Sequence, residues 1–150
     1  MQIPEPEISL LFEVFVAGQR LRRVMESALQ GAPLRPEEYA IYSLLFECGP
    51  LTASQMARFT GLPLTTVLDH LRAMSERGHL RRSRHPSDGR AQQASLTRLG
   101  LEAFKETSRA WQPMVQALEA RLGDDVGAIR SALRQIAAAA GQMAAAQTRS

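Results

Sequence analysis

Cysteine is almost missing from this 150-residue chain, where Cys48 stands alone. One thiol excludes an intramolecular disulfide framework and suits a reducing, cytoplasmic location. Cys48 has no basic neighbour in sequence to activate it, so a buried structural thiol is expected rather than a redox sensor. Long apolar runs are also lacking, and none approaches membrane-spanning length, so no membrane partner is expected. The opening "MQIPEPEISLLFEVF" has no basic segment ahead of an apolar one and is not expected to be a secretory signal. No Ser-His-Asp set, Cys-His pair or paired carboxylates stand out, so an enzyme is not expected. His70, His79 and His85 have no acidic or cysteine partner recurring at ligand spacing, and neither a metal nor another cofactor is expected.

Aromatics make up only 5% of residues, whereas alanine is abundant and the long apolar patterns have helical spacing. The expected fold is mainly α with a small β-wing, in a single domain spanning residues 1–150. The net charge of +3 hides an uneven distribution. Residues 1–50 hold four arginines against seven acids, and residues 51–98 hold eight arginines against three acids. Arg72, Arg77, Arg81, Arg82, Arg84 and Arg90 crowd one stretch. Such a run is either a solvated face or a polyanion contact. Arginine suits the second, because its planar fork grips phosphate.

The spacing predicts a first helix over about Ile8 to Leu29, with one apolar stripe at Ile8, Leu11, Phe12 and Phe15. A second stripe comprises Val14, Gly18, Leu21, Met25 and Ala28, so neighbours are expected on both sides. "GAPLRP" interrupts, and Pro36 starts a helix whose first turn carries Glu37 and Glu38. "LTASQMARFTGLPLTTVLDHLRAMSERG" then reads as two helices around a tight turn. Thr52 and Gln55 form a capping box, Gly61 suits a left-handed helix end, and Pro63 suits the next first turn. Leu64, Val67, Leu68, Leu71 and Met74 are expected to face inward, leaving Thr65, Thr66, Asp69 and Arg72 opposite, with His70 at the edge. Ala57, Gly61 and Val67 have helix-turn-helix spacing.

After Gly78, "HLRRSR" and "AQQASL" form two short strands around "HPSDGR". Leu80, Ala94 and Leu96 are expected to face the body and the arginines outward. Thr97 caps a long helix that Pro113 is expected to kink. In the last helix Val126, Ile129, Leu133, Ile136, Ala140 and Met143 alternate by three and four, a seam of the coiled-coil kind. Together with Ile8 and Leu11, that seam predicts a homodimer through the two terminal regions. Phe12, Phe15, Tyr39, Tyr42 and Trp111 are expected first as core and interface residues.

With its parts in this order, the chain resembles the MarR family of bacterial winged helix-turn-helix transcription regulators. The wing carries the most specific match: Asp88, Arg90, Leu96, Thr97 and Gly100 fit the family's Asp-x-Arg followed by Leu-Thr and a glycine. "GPLTASQMARFTGLP" and "LRAMSERGHLRR" resemble two further family blocks. The resemblance implies a winged DNA-binding lobe over about 34–98, flanked by dimerisation helices over about 8–31 and 99–146. It also implies a homodimeric regulator of double-stranded DNA, usually a repressor, bound to a pseudo-palindromic operator. By position, Thr65, Thr66, Asp69 and His70 fall at groove contacts, Arg72 at phosphate, and Arg90 at the wing tip beside Asp88. Arg81, Arg82 and Arg84 would add phosphate contacts. Family members often bind small aromatic effectors, for which Phe12, Phe15, Tyr39 and Tyr42 are candidate pocket residues.

The chain departs from the family in having Leu68-Asp69 where many members have Thr-Arg. Aspartate accepts only from donors such as cytosine N4 and cannot hold phosphate. Either the operator differs, or Asp69 pairs with Arg72, the favoured reading. The departure also motivates an alternative, a winged-helix protein-interaction module without specific operator binding.

Overall fold

The computed structural model describes residues 8–149. Residues 1–7, about half of the opening stretch read against a secretory signal, lie outside them. Helix α1 (Leu10–Ala28) begins at Ser9, whose Oγ accepts from the Phe12 N–H at 3.2 Å. Helix α2 (Pro36–Cys48) starts at the expected proline, and the Glu38 carboxylate accepts from the Arg35 N–H at 2.9 Å. After Gly49, at φ 74°, the two-residue strand β1 (Leu51–Thr52) leads into α3 (Ala53–Thr60). Both halves of the Thr52–Gln55 capping box form, and Gly61 ends α3 in the left-handed conformation. Pro63 precedes rather than enters the next helix, α4 (Leu64–Glu76).

Strands β2 (Leu80–Arg84) and β3 (Gln92–Leu96) pair antiparallel, and β1 adds to the far edge of β3. The expected ribbon is therefore a three-stranded sheet. Thr97 caps α5 (Arg98–Leu122), which continues through Pro113, and a short turn at Gly123–Asp125 leads to α6 (Val126–Gln147). No helix among the described residues is long and apolar enough to cross a membrane.

The core lies where α2 meets the helix-turn-helix of α3 and α4, with Ile41, Tyr42, Met56, Val67, Leu71 and Met74 clustered with the sheet residues Leu51, Leu80 and Ala94. Two expectations fail here. Leu64 and Leu68 remain exposed, because only the 67-71-74 stripe of α4 meets the core. Cys48 is exposed as well, since the last turn of α2 runs past the packed layer that ends with Leu45.

The terminal helices contrast with this core. Neither α1 nor α6 has a buried residue, and Leu11, Phe15, Leu133 and Met143 are each more than half exposed. Apolar faces this open on two long helices are unusual for a monomer.

Candidate nucleic-acid interface

Helix α4 has one stripe committed to the core, which leaves its other face to solvent. Thr65, Leu68, Asp69 and Arg72 are exposed there and Thr66 is half-buried. Asp69 Oδ1 lies 3.3 Å from Arg72 Nη1, so the acidic side chain is matched within the helix. His70 stands apart from this set: its Nε2 is 3.5 Å from Glu37 Oε2 on α2, and its side chain is mostly covered.

The wing sorts its arginines by strand alternation. Leu80 pairs with Leu96, Arg82 with Ala94 and Arg84 with Gln92, so these pairs share the face that begins in the core. Arg81 takes the other face, where the Ser95 hydroxyl donates to its carbonyl oxygen. All three arginines are exposed, but they do not all point outward from the domain. Arg82 and Arg90 border a groove together with Leu68 of α4 and Ser54 of α3. The helix-turn-helix and the wing thus share one positively bordered recess.

The wing tip is held by local hydrogen bonds. The His85 N–H donates to the Ala91 carbonyl at 2.9 Å, and the Arg90 N–H donates to Asp88 Oδ1 at 3.1 Å. His85 Nδ1 accepts from the N–H groups of Ser87 and Asp88 at 3.1 and 3.2 Å. Asp88 therefore braces the backbone of Arg90, which frees its guanidinium. Sequence reasoning weighed His85 only as a metal ligand; a histidine two residues before a turn was the available signal.

The base of the wing is fastened to the core. Tyr42 Oη and His79 Nδ1 are 2.8 Å apart, and the Thr97 hydroxyl donates to the Gly78 carbonyl at 2.6 Å. Burial pushes the Tyr42 phenol up to about 12. Burial and the nearby Arg77 cation both lower the His79 pKa. Both shifts favour a contact between a protonated phenol and a neutral imidazole. Gly100 lies so close to the His79 carbonyl that a β-carbon would meet backbone atoms.

The sequence pattern of the MarR family matches residues 34–91. The rest of the chain follows the same fold. A probable transcriptional regulator from Pseudomonas aeruginosa shares 26% identity, with a TM-score of 0.70 over 85% of this chain and 96% of that one. A MarR variant from E. coli in complex with operator DNA aligns with a TM-score of 0.74 at 17% identity, covering 85% and 92%. BpsR of Bordetella bronchiseptica, whose DNA binding is regulated by 6-hydroxynicotinic acid, aligns at 0.77 and 18% identity, covering 90% and 97%. Comparison with curated proteins gave no match. Members of the MarR family are transcription regulators.

A second site in this MarR-type fold is a cleft of about 620 Å³ between α1 and α2, reached also by Phe59, Leu62 and Trp111. None of the four candidate pocket residues lines it. Tyr39 and Tyr42 are buried, and Tyr39 is stacked on Phe104 while its hydroxyl lies 3.0 Å from that of Ser108. Phe15 is exposed and Phe12 half-buried, on the other stripe of α1. The stripe that does reach the cleft is the second, through Gly18 and Met25.

Proposed function

We propose that this chain is a homodimeric, sequence-specific DNA-binding transcription regulator, a repressor released by a small-molecule effector. The observation that carries the reading is the recess shared by α4 and the wing, bordered by Arg82 and Arg90. In this reading α4 enters the major groove, where Thr65, Thr66 and Asp69 meet base edges and Leu68 offers an apolar contact to a thymine methyl. Arg90 reaches the flanking minor groove, whose narrow form concentrates negative potential. Arg81, Arg82 and Arg84 neutralise phosphates, and Arg72 joins them when Asp69 releases it.

A second copy accounts for the bare terminal helices. Val126, Ile129, Leu133, Ile136 and Met143 of α6, with Ile8 and Leu11, form the dimer face. Two recognition helices about one DNA turn apart then match a pseudo-palindrome. The cleft supplies regulation. A ligand that prefers one spacing of the two helices shifts the population toward it and weakens DNA binding by its differential affinity.

Operator selection from fragmented genomic DNA tests the reading. Recovery of a shared pseudo-palindromic sequence supports it. Weak binding without enrichment of any sequence overturns it in favour of a protein-interaction module.

A further inference from the structure

We propose that the α1–α2 cleft selects an amphipathic cation, a protonated amine on an aromatic or aliphatic body, over an aromatic carboxylate. Its place as an effector site rests on the reading above; its chemistry comes from the walls. On α2, Glu37, Ala40, Leu44 and Glu47 recur at three- or four-residue intervals and form one wall. On α1, Gly18, Arg22, Met25 and Glu26 form the facing wall, and Trp111, Phe59 and Leu62 complete an apolar floor. The volume of about 620 Å³ fits a drug-sized molecule.

The charges on these walls are unbalanced. Glu26, Glu37 and Glu47 face the cleft against the single cation of Arg22. Glu26, Glu47 and Arg22 form no salt bridge with the described residues, so none of them is spent on a neighbour there. An adjoining recess adds Arg35 and Glu38, but Glu38 is already paired with Arg77 at 2.9 Å. Leaving out the Glu38–Arg77 pair and counting Arg35 as well, three carboxylates, Glu26, Glu37 and Glu47, stand against two arginines, with Glu37 also in contact with His70. Low-dielectric walls focus such an excess, which attracts a cation and repels an anion. Trp111 and Phe59 add aromatic faces suited to an ammonium group or to its ring.

Glu37 also connects the cleft to the recognition helix. The carboxylate that borders the cleft is the one 3.5 Å from His70 of α4. An amine bound to Glu37 competes for that carboxylate, so occupancy reaches α4 through a direct contact.

Trp111 is the only tryptophan in the chain, so its fluorescence reports on the cleft. The experiment titrates the full-length protein with tyramine and with 4-hydroxyphenylacetate, which share a ring and differ in charge sign at neutral pH. Tyramine should change the emission saturably and bind at least about tenfold more tightly than the acid. Glu26→Gln combined with Glu47→Gln should erase that preference, and Gly18→Phe, which fills the cleft, should abolish both signals. Equal or tighter binding of the acid, itself blocked by Gly18→Phe, overturns the charge selection and leaves the effector cleft standing. Absence of binding by either probe to protein that still binds its operator overturns both. Tyramine binding that survives Gly18→Phe, measured by calorimetry, places the site elsewhere and also overturns the proposal.

Discussion

Asp69 and Arg72 face each other across one turn of α4, 3.3 Å apart and both largely exposed. The pair explains how an aspartate is tolerated on a surface proposed to meet a polyanion. Exposed pairs of this kind contribute under about 1 kcal/mol to stability. Asp69→Ala should therefore leave thermal stability nearly unchanged while freeing Arg72 for phosphate. The expected result is stronger binding to random-sequence DNA and a lower specificity ratio, read by competition titration. A loss of random-sequence binding would mean that Arg72 is not a phosphate ligand.

Two glycines should respond in opposite directions to alanine. At Gly100 the new β-carbon meets the His79 backbone, and overpacking against backbone should cost about 1–3 kcal/mol. At Gly18, inside α1, nothing lies within 4 Å, so alanine should raise stability by up to about 1 kcal/mol. Denaturant unfolding of both variants checks the contrast. A neutral Gly100→Ala would show that the wing base can shift away from α5.

The burial of His79, with the Arg77 cation nearby, sets a pH dependence. The folded pKa of His79 is lowered from its ordinary 6.5, so the unfolded chain takes up a proton at a higher pH than the folded one. This contribution is full above the unfolded value and is lost as pH falls below about 6.5 toward the lowered folded value. The melting temperature of the wild type should therefore fall more between pH 7 and pH 5 than that of His79→Gln. Parallel profiles would place the titration elsewhere.

Ile129→Asp combined with Ile136→Asp should convert the proposed dimer to monomer in sedimentation. Neither residue is in the core of the single chain, so helicity should persist. An unaltered sedimentation profile would exclude α6 from the interface.

Local signals in the sequence mapped onto local structure. The Thr52–Gln55 box, Gly61 and Thr97 act at helix ends, where a few neighbouring atoms decide the conformation. The parity of the wing is a correction: the arginines do not face outward together as expected, because with Leu80 facing the core, strand alternation puts Arg82 and Arg84 on its face. What depended on distant elements was not legible. Strand β1 has two residues and exists only because β3 passes beside it. Tyr39 and Tyr42 are core, as first expected, but their second reading as pocket residues depended on where α5 and His79 pack against them. Cys48 continues the buried Ile41–Leu45 spacing, yet the packed layer stops one turn earlier.

The wing offers the most direct test of DNA recognition. On a selected operator fragment, affinity measured across a range of salt concentrations should fall steeply for the wild type. Arg90→Ala should weaken operator binding about tenfold or more at fixed salt, with the dimer intact. Equal affinity of the two proteins at every salt concentration would mean that the wing does not reach DNA, and would contradict the proposed mode of binding.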